Sequence, residues 1–321
     1  MSLSTAATLD AAFVLPEHRS PSLPSLHALG QISPPFADTA AAHLDSALNS
    51  ALRSYVNNPA ALRSTMRLLR AVISGSFALS FLLQGQQPHF EPRDLDIYVP
   101  LHYGQRMASY LIDVEGFVLH RHREVPYAAK LGHAAVLTLQ KATRRIDIVV
   151  SMNESALYPI SHFWGSHVMN YLSADGYCVA YPELTFSGRG ILSPFHLTDH
   201  RYPSDYTLSL MAKYSPRGFS FRVRPYAWET STTSAQDCNI SPSAGCPRVR
   251  RFFGDRFCLT GTLSSQYAGY GYDCSLPSSL TVCWWRGGDP CGGTCMHSGL
   301  LPERTHPTAE ILHTDSLPRD L

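Results

Sequence analysis

Apolar residues recur at every fourth position in the first part of the chain and predict an amphipathic helix over 38–57. The apolar positions of this helix are Leu44, Leu48, Leu52 and Val56. Asp38 suits the N-terminal cap, and Asn57-Asn58-Pro59 ends the pattern. Because proline is tolerated in the first turn of a helix, Pro59 predicts the start of a second helix that runs through Leu69.

The next segment changes to the pattern of a buried strand, a glycine turn and a helix. The apolar run Ala71-Val72-Ile73 is followed by Ser74-Gly75-Ser76, and a helical pattern continues over 76–84. Further on, polar and apolar residues alternate strictly from Asp94 to Val99. Side chains of a strand point alternately to its two faces, so this strand carries its two aspartates on one face.

A third helix is predicted over 101–115 and ends at Gly116. Beyond it, two runs of strand-forming residues, 135–140 and 146–150, flank a short polar segment and predict a hairpin. The second run places Asp147 on the face opposite Ile146 and Ile148. The patterns are weaker after residue 150, where we expect a helix over 156–164 and a strand over 176–180.

Composition divides the chain into four parts. Residues 1–37 are rich in Ser, Pro and Ala without periodicity, which predicts a flexible N-terminal segment before a domain over 38–215. From 216 to 298 glycine, cysteine and aromatic residues replace the helical pattern, which predicts a Cys-rich region packed on the domain. The final part, 299–321, shows no pattern and is predicted to be a disordered tail.

Charge and hydropathy narrow the classes of function. Lysine plus arginine number 26 and aspartate plus glutamate 25, so a net charge of +1 provides no overall field for nucleic acid or an anionic membrane. Any binding of an anion must depend on local clusters. No apolar run reaches the length of a membrane span, and the N-terminus lacks an export signal, so we expect a soluble intracellular protein that contacts no membrane.

The turn at Gly75 and Ser76 and three aspartates form the candidate site. A glycine turn at a helix start presents free N–H groups and the positive end of the helix dipole, which suit a phosphate. Asp94 and Asp96 repel each other unless a cation lies between them, and Mg²⁺ or Mn²⁺ prefers such oxygen ligands. Asp147 could join them from a neighbouring strand as a third ligand. Phosphoryl transfer assisted by two cations needs these parts.

With these motifs, the chain resembles the polymerase-beta-like nucleotidyltransferase superfamily. The matching pieces are Ile73-Ser74-Gly75-Ser76, Asp94-Leu95-Asp96-Ile97 and Ile146-Asp147-Ile148, in the order of the family. They lie within residues 68–151, about a quarter of the chain. The segments Met169-Asn170-Tyr171 and Tyr181-Pro182-Glu183-Leu184-Thr185 look more narrowly like uncharacterised nucleotidyltransferase-like proteins predicted from fungal genomes.

The resemblance implies an α+β fold, with a mixed sheet flanked by helices and a Cys- and Gly-rich C-terminal region. It implies that Gly75 and Ser76 bind the triphosphate of a nucleoside triphosphate. Asp94 and Asp96 would ligate the metal, and Asp147 would be the third carboxylate, which helps to activate the acceptor hydroxyl. The acceptor is unknown, and after residue 151 no acceptor-binding domain or nucleic-acid module is recognisable.

Two basic clusters have structural and functional interpretations. Arg248, Arg250 and Arg251 could grip a nucleic-acid backbone, although a solvated strand face beside a pair of phenylalanines is the favoured interpretation. The cluster of Lys141, Arg144 and Arg145 could touch a substrate phosphate, but we expect these residues mainly to make the hairpin turn soluble.

The cysteines all lie in the second half of the chain and leave two alternatives open. Cys246 and Cys258, with Cys291, Cys295 and His297, could form a structural zinc site, but their spacings fit no familiar zinc finger. Reduced core cysteines are the favoured alternative. Dinucleotide-binding, Walker and serine-hydrolase motifs are absent from the sequence.

Three hypotheses about function remain from the sequence. The first is metal-dependent transfer of a nucleoside monophosphate from a nucleoside triphosphate to a hydroxyl acceptor. The second is an inactive nucleotidyltransferase fold that binds a nucleotide or a protein without turnover. The third is an interaction protein that acts through its Cys-rich region.

Overall fold

The computed structural model describes residues 21–86, 88–125, 131–198, 202–224, 244–247, 249–263, 280–287 and 308–313. The helices in chain order are α1 (Leu23–Gly30), α2 (Pro34–Leu52), α3 (Pro59–Leu69), α4 (Gly75–Leu82), α5 (Gly104–Asp113), α6 (Pro182–Phe186) and α7 (Asp205–Tyr214). The first eight strands are β1 (Val72–Ser74), β2 (Leu95–Val99), β3 (Val118–Glu124), β4 (His133–Lys141), β5 (Arg144–Ser151), β6 (Asn170–Leu172), β7 (Gly176–Val179) and β8 (Arg189–Ile191). The remaining strands are β9 (Leu197–Thr198), β10 (Tyr202–Pro203), β11 (Ser220–Arg222), β12 (Arg251–Phe252), β13 (Leu259–Thr262), β14 (Leu280–Trp285) and β15 (Thr308–His313).

A mixed sheet of eight strands, in the order β13-β7-β6-β1-β2-β5-β4-β3, forms the centre of the protein. The pair β2–β5 is parallel, and the other neighbours in this sheet are antiparallel. Helices flank the sheet, which confirms the predicted α+β class. The helix predicted from Pro59 through Leu69 is confirmed as α3, and the predicted hairpin is confirmed as β4 and β5.

The two faces of the sheet have separate cores because strand residues alternate between them. On one face Ile73, Ile97 and Ile148 pack with the helices α1 to α5. The other face carries Val72, Tyr98 and Val149. Asp96 precedes Ile97 on β2 and therefore projects on this second face, away from the N-terminal helices.

The predicted flexible segment 1–37 is wrong from residue 22 onward. The side chain of Ser22 accepts a hydrogen bond from the backbone N–H of Ser25 and caps α1, which buries Leu23 and Leu26 in the helical core. The next helix, α2, begins at Pro34 and ends at Leu52, where the sequence predicted 38–57. Proline has no N–H to lose in a first turn, so it opens this helix.

The C-terminal part of the chain completes the central sheet. Strand β13 pairs with β7, so strands on either side of the boundary predicted near residue 216 belong to one sheet. Phe253 and Trp284 pack in the same core as Val72. Within the tail predicted over 299–321, Thr308–His313 form β15 and pair with β14, which corrects that prediction for these residues.

Two further differences concern the middle of the chain. The helix predicted over 156–164 is a single 3₁₀ turn, Pro159–His162, and the helix predicted over 101–115 begins with a separate 3₁₀ turn before α5. In the ranges that the structure covers, no helix combines the length and the apolar character needed to cross a membrane.

Candidate metal centre

The structure brings the three predicted aspartates together. Asp96 on β2 lies directly beside Asp147 on β5, because these parallel strands pair in that register, and Asp94 lies just before β2. One carboxylate oxygen from each of the three lies within 4.8 Å of the others. Oxygens that share one Mg²⁺ or Ca²⁺ at about 2.0–2.6 Å lie no more than about 5 Å apart. The three carboxylates therefore have the spacing of ligands to a single hard cation.

The electrostatic environment of the site favours a cation. Burial, followed by the charges of Asp94 and Asp147, raises the pKa of Asp96 from 3.8 to about 8. Lys213 and Arg145 counteract this increase only in part. A divalent ion would offset the repulsion and the lost hydration, and it would restore the ionised form of Asp96.

Arg145 is the nearest cation to the third carboxylate. Its guanidinium donates to both oxygens of Asp147, at 2.6 and 3.3 Å, and Asp147 is only 7% exposed. The prediction that Arg145 mainly makes the hairpin turn soluble is therefore wrong. Residues two apart on a strand share a face, so the spacing of these two residues was a signal of the pair in the sequence. Of the other two cations of that cluster, Lys141 donates a hydrogen bond to the backbone carbonyl of Glu115, and Arg144 donates one to the side-chain carbonyl of Asn57.

The predicted phosphate turn lies against the aspartates. Strand β1 ends with Ser74 opposite Asp96, and Gly75 then adopts a φ of +69° as the first residue of α4. A Cβ at Gly75 would collide with the Asp96 carboxylate, so only glycine fits this position without strain. The hydroxyl of Ser74 is directed to the carbonyl of Asn170 at 2.5 Å and fixes the strand end.

The start of α4 has unused hydrogen-bonding capacity. Among the residues that the structure describes, no side chain caps its first N–H groups, and the buried Ser76 hydroxyl has no hydrogen-bond partner. Free donors at a helix start, next to a hydroxyl without a partner, can hold an anion. This arrangement matches the role that the sequence predicted for Gly75 and Ser76.

Helix α7 brings in a cation that sequence reasoning missed. Lys213 in its last turn is close enough to Asp96 to lower the pKa of that carboxyl, and its ammonium lies 5.5 Å from the ring centre of Tyr214. No local pattern around Lys213 marks it as a site residue, because the long-range fold alone places α7 beside the aspartates.

A cleft of about 380 Å³ lies on the side of the N-terminal helices, and none of the three aspartates is among its lining residues. Its walls come from the end of α2, from α4 and from the loop before β2; Phe77 and Phe81 are among its lining residues. Tyr55 also lines it and donates a hydrogen bond to the carbonyl of Pro92, two residues before Asp94. Burial and then the charges of the nearby acids raise the pKa of Tyr55 to about 12. The cleft is large enough for a small organic group.

The second basic cluster has a structural role where it is described. The favoured prediction of a solvated strand face is wrong for Arg251, which is buried and pairs with Asp255 at 2.5 Å; Arg250 lies 4.0 Å from Glu310. Arg248 lies outside the described residues.

The zinc prediction falls largely outside the described residues. Four cysteines, Cys178, Cys246, Cys258 and Cys283, lie within the described residues. Cys291, Cys295 and His297 lie outside the described ranges. Among the residues that the structure describes, the aspartates are the group with metal-ligand geometry.

The fold and the site together define an α+β protein with a three-carboxylate candidate metal centre at the start of a helix. The chain matches no protein-family model, no curated protein and no solved structure.

Proposed function

We propose that this protein is a metal-dependent nucleotidyltransferase that moves a nucleoside monophosphate from a nucleoside triphosphate to a hydroxyl acceptor. The observation that carries the proposal is the convergence of Asp94, Asp96 and Asp147 on one face, directly against Gly75 at the start of α4. The resemblance of the three motifs to the polymerase-beta-like superfamily supports it, since that family uses the same residue types in the same order.

Each group in the site has a chemical role in this reaction. The N–H groups at the start of α4 and the Ser76 hydroxyl bind the triphosphate, and the three carboxylates hold Mg²⁺. A Mg²⁺ ion held by these carboxylates would lower the pKa of the acceptor hydroxyl and offset the charge of the leaving group. The acceptor oxygen bonds to the α-phosphorus as the bond from that phosphorus to the β-phosphate oxygen breaks, and pyrophosphate leaves. The hydroxyl proton passes to the Asp147 carboxylate and then to water.

Calorimetric titration of ATP with Mg²⁺ tests the proposal. We expect the wild-type protein to bind Mg²⁺·ATP and the Asp94→Asn/Asp96→Asn variant to lose at least about tenfold in affinity, because two of three ligands lose their charge. Asp113→Asn, at the exposed end of α5, is the matched control and should bind like the wild type. Equal affinity of the wild type and the double variant, or no binding by either, would contradict the proposal.

One observation favours a second candidate, a module that binds nucleotide without turnover. Arg145 already neutralises Asp147, the carboxylate that the reaction needs as a proton acceptor. If the ion pair between Arg145 and Asp147 persists when nucleotide binds, Asp147 cannot accept the proton of the acceptor hydroxyl. A coupled assay for pyrophosphate, run with each of the four ribonucleoside triphosphates and a panel of hydroxyl acceptors, distinguishes the two. Binding without pyrophosphate release selects the binding module.

A further inference from the structure

The outer strand of the central sheet carries a cationic patch. Strand β3 is the last strand on its side of the sheet, and all seven of its residues are exposed. Two of them are arginines, Arg121 and Arg123. In the part of the chain that the structure describes, neither has a carboxylate within ion-pair distance. Two exposed like charges without a counter-ion repel each other, and an anionic ligand would relieve that repulsion.

The strand register places this patch in line with the aspartates. Arg121 is opposite Thr138 on β4, Thr138 is opposite Asp147 on β5, and Asp147 is opposite Asp96 on β2. Residues directly opposite each other project on the same face of a sheet. Since strands lie about 4.8 Å apart, the backbone of Arg121 is roughly 10 Å from that of Asp147. The patch and the candidate metal centre therefore share one face and one row.

Arg123 and a third cation, Arg145, which is paired with Asp147, lie on the same face as Arg121. Arg123 follows Arg121 by two residues, and Arg145 precedes Asp147 by two residues, so each keeps the face of its neighbour. The one acidic residue of β3, Glu124, pairs with Ala135 and lies on the opposite face. The positive charges are thus concentrated on the aspartate side, although the chain as a whole has a net charge of only +1.

The shape and charge of this face fit a single extended polyanion. Alternate residues on a strand are roughly 6.7 Å apart, close to the separation of successive phosphates in an extended nucleic-acid strand. A duplex or an anionic membrane would bring further negative charge against the three aspartates. A single strand avoids this, because its terminal hydroxyl is uncharged and can approach the carboxylates while its phosphates stay on the arginines.

We propose that Arg121 and Arg123 bind the phosphates of a single-stranded nucleic acid whose hydroxyl end reaches Asp147. The role of that end as the acceptor rests on the proposed nucleotidyl transfer, whereas the binding surface stands independently of it. In that reaction the terminal oxygen bonds to the α-phosphorus, pyrophosphate leaves, and the strand gains one nucleotide.

Fluorescence anisotropy with a labelled 12-nucleotide RNA tests the surface without the chemistry. The measurement uses about 50 mM salt and EDTA, with no nucleotide present. We expect Arg121→Glu/Arg123→Glu to bind the RNA at least about tenfold more weakly than the wild type. The control variant Arg53→Glu/Arg106→Glu makes the same change in net charge, at the end of α2 and in α5, and should bind the RNA like the wild type.

A milder variant protects the test against a folding defect. In Arg121→Gln/Arg123→Gln, the slope of log affinity against log salt should fall by about 1.4, because two phosphate contacts on a single strand are lost. The proposal is overturned if the wild type does not bind the RNA, or if the arginine variants bind as tightly as the control. Arginine-dependent binding to phosphatidylserine vesicles, but not to the RNA, would also overturn it.

Failure here is distinct from failure of the proposed function. The RNA measurement excludes metal and nucleotide, and the calorimetric titration excludes nucleic acid. Mg²⁺·ATP binding with no RNA binding would leave the nucleotidyltransferase with a different acceptor.

Discussion

Substitution of Asp96 by asparagine should stabilise the protein in the absence of metal. The carboxyl has a pKa of about 8 in the folded protein, against an ordinary value of 3.8. The folded state therefore holds its proton more tightly than the unfolded chain does. This difference costs stability as pH rises: the cost is absent below the unfolded pKa and complete above the folded one. Asparagine keeps the shape of the side chain and removes the charge.

The two pKa values set the size of the effect. At pH 7 the two pKa values correspond to a loss of about 4 kcal/mol in the free energy of unfolding, and at pH 4 to a loss of less than about 1 kcal/mol. Since asparagine removes the charge but leaves a polar side chain to be buried, we expect Asp96→Asn to gain about 2 kcal/mol or more at pH 8 and almost nothing at pH 4.

Urea unfolding at pH 4, 6 and 8 in EDTA measures this gain. Asp113→Asn changes an exposed aspartate and should stay within about 0.5 kcal/mol of the wild type at each pH. Added Mg²⁺ should then stabilise the wild type, by about 2.7 kcal/mol at one hundred times its dissociation constant, and leave Asp96→Asn unchanged. If Asp96→Asn is no more stable than the wild type at pH 8 in EDTA, the electrostatic description of the site is wrong.

Three further changes probe the site and the core. Gly75→Ala should lower the free energy of unfolding in urea by about 1–3 kcal/mol, because the φ of Gly75 is positive and a Cβ there collides with Asp96. The variant should also lose most of its affinity for Mg²⁺·ATP. Normal affinity would contradict the role of the turn in binding phosphate. Arg145→Gln should lose about 1–2 kcal/mol in EDTA, since Asp147 loses its counter-ion, and Mg²⁺ should restore most of it; a loss unaffected by Mg²⁺ would argue against a metal at Asp147. Burial lowers the pKa of His167 to about 3, so the folded state excludes a proton that the unfolded chain binds below pH 6.5. At pH 4.5 this difference in pKa lowers the free energy of unfolding by about 3 kcal/mol, so His167→Phe should move the midpoint of acid unfolding to lower pH. An unchanged midpoint would show that buried His167 is not a cause of acid unfolding.

The parts of the site that the sequence predicted are those written in local patterns. Strict alternation around Asp96 showed its face, and glycine before a helical run showed the turn at Gly75. The meeting of Asp96 with Asp147 depends on which strands become neighbours, and the motif resemblance supplied that expectation. The approach of Lys213 depends on how α7 packs, which no local pattern reports.

The errors in the fold have the same origin. The short helix α1 was missed because only Leu23 and Leu26 anchor it, and two apolar residues give too little periodicity to detect. The pairing of β13 with β7 was missed because four residues form this strand, two of them threonine and one glycine. Such a strand is defined by the edge it joins more than by its own composition.

The position of β13 at the edge of the central sheet affects how a nascent chain can fold. Strand β7 pairs with β6 on one side and with β13, Leu259–Thr262, on the other. The sheet is therefore incomplete until the ribosome has released that part of the chain. Pairings between segments so distant in sequence slow folding. A fragment ending at residue 215 would keep all the motifs of the site but expose the edge of β7, and aggregation is the expected fate of such an edge.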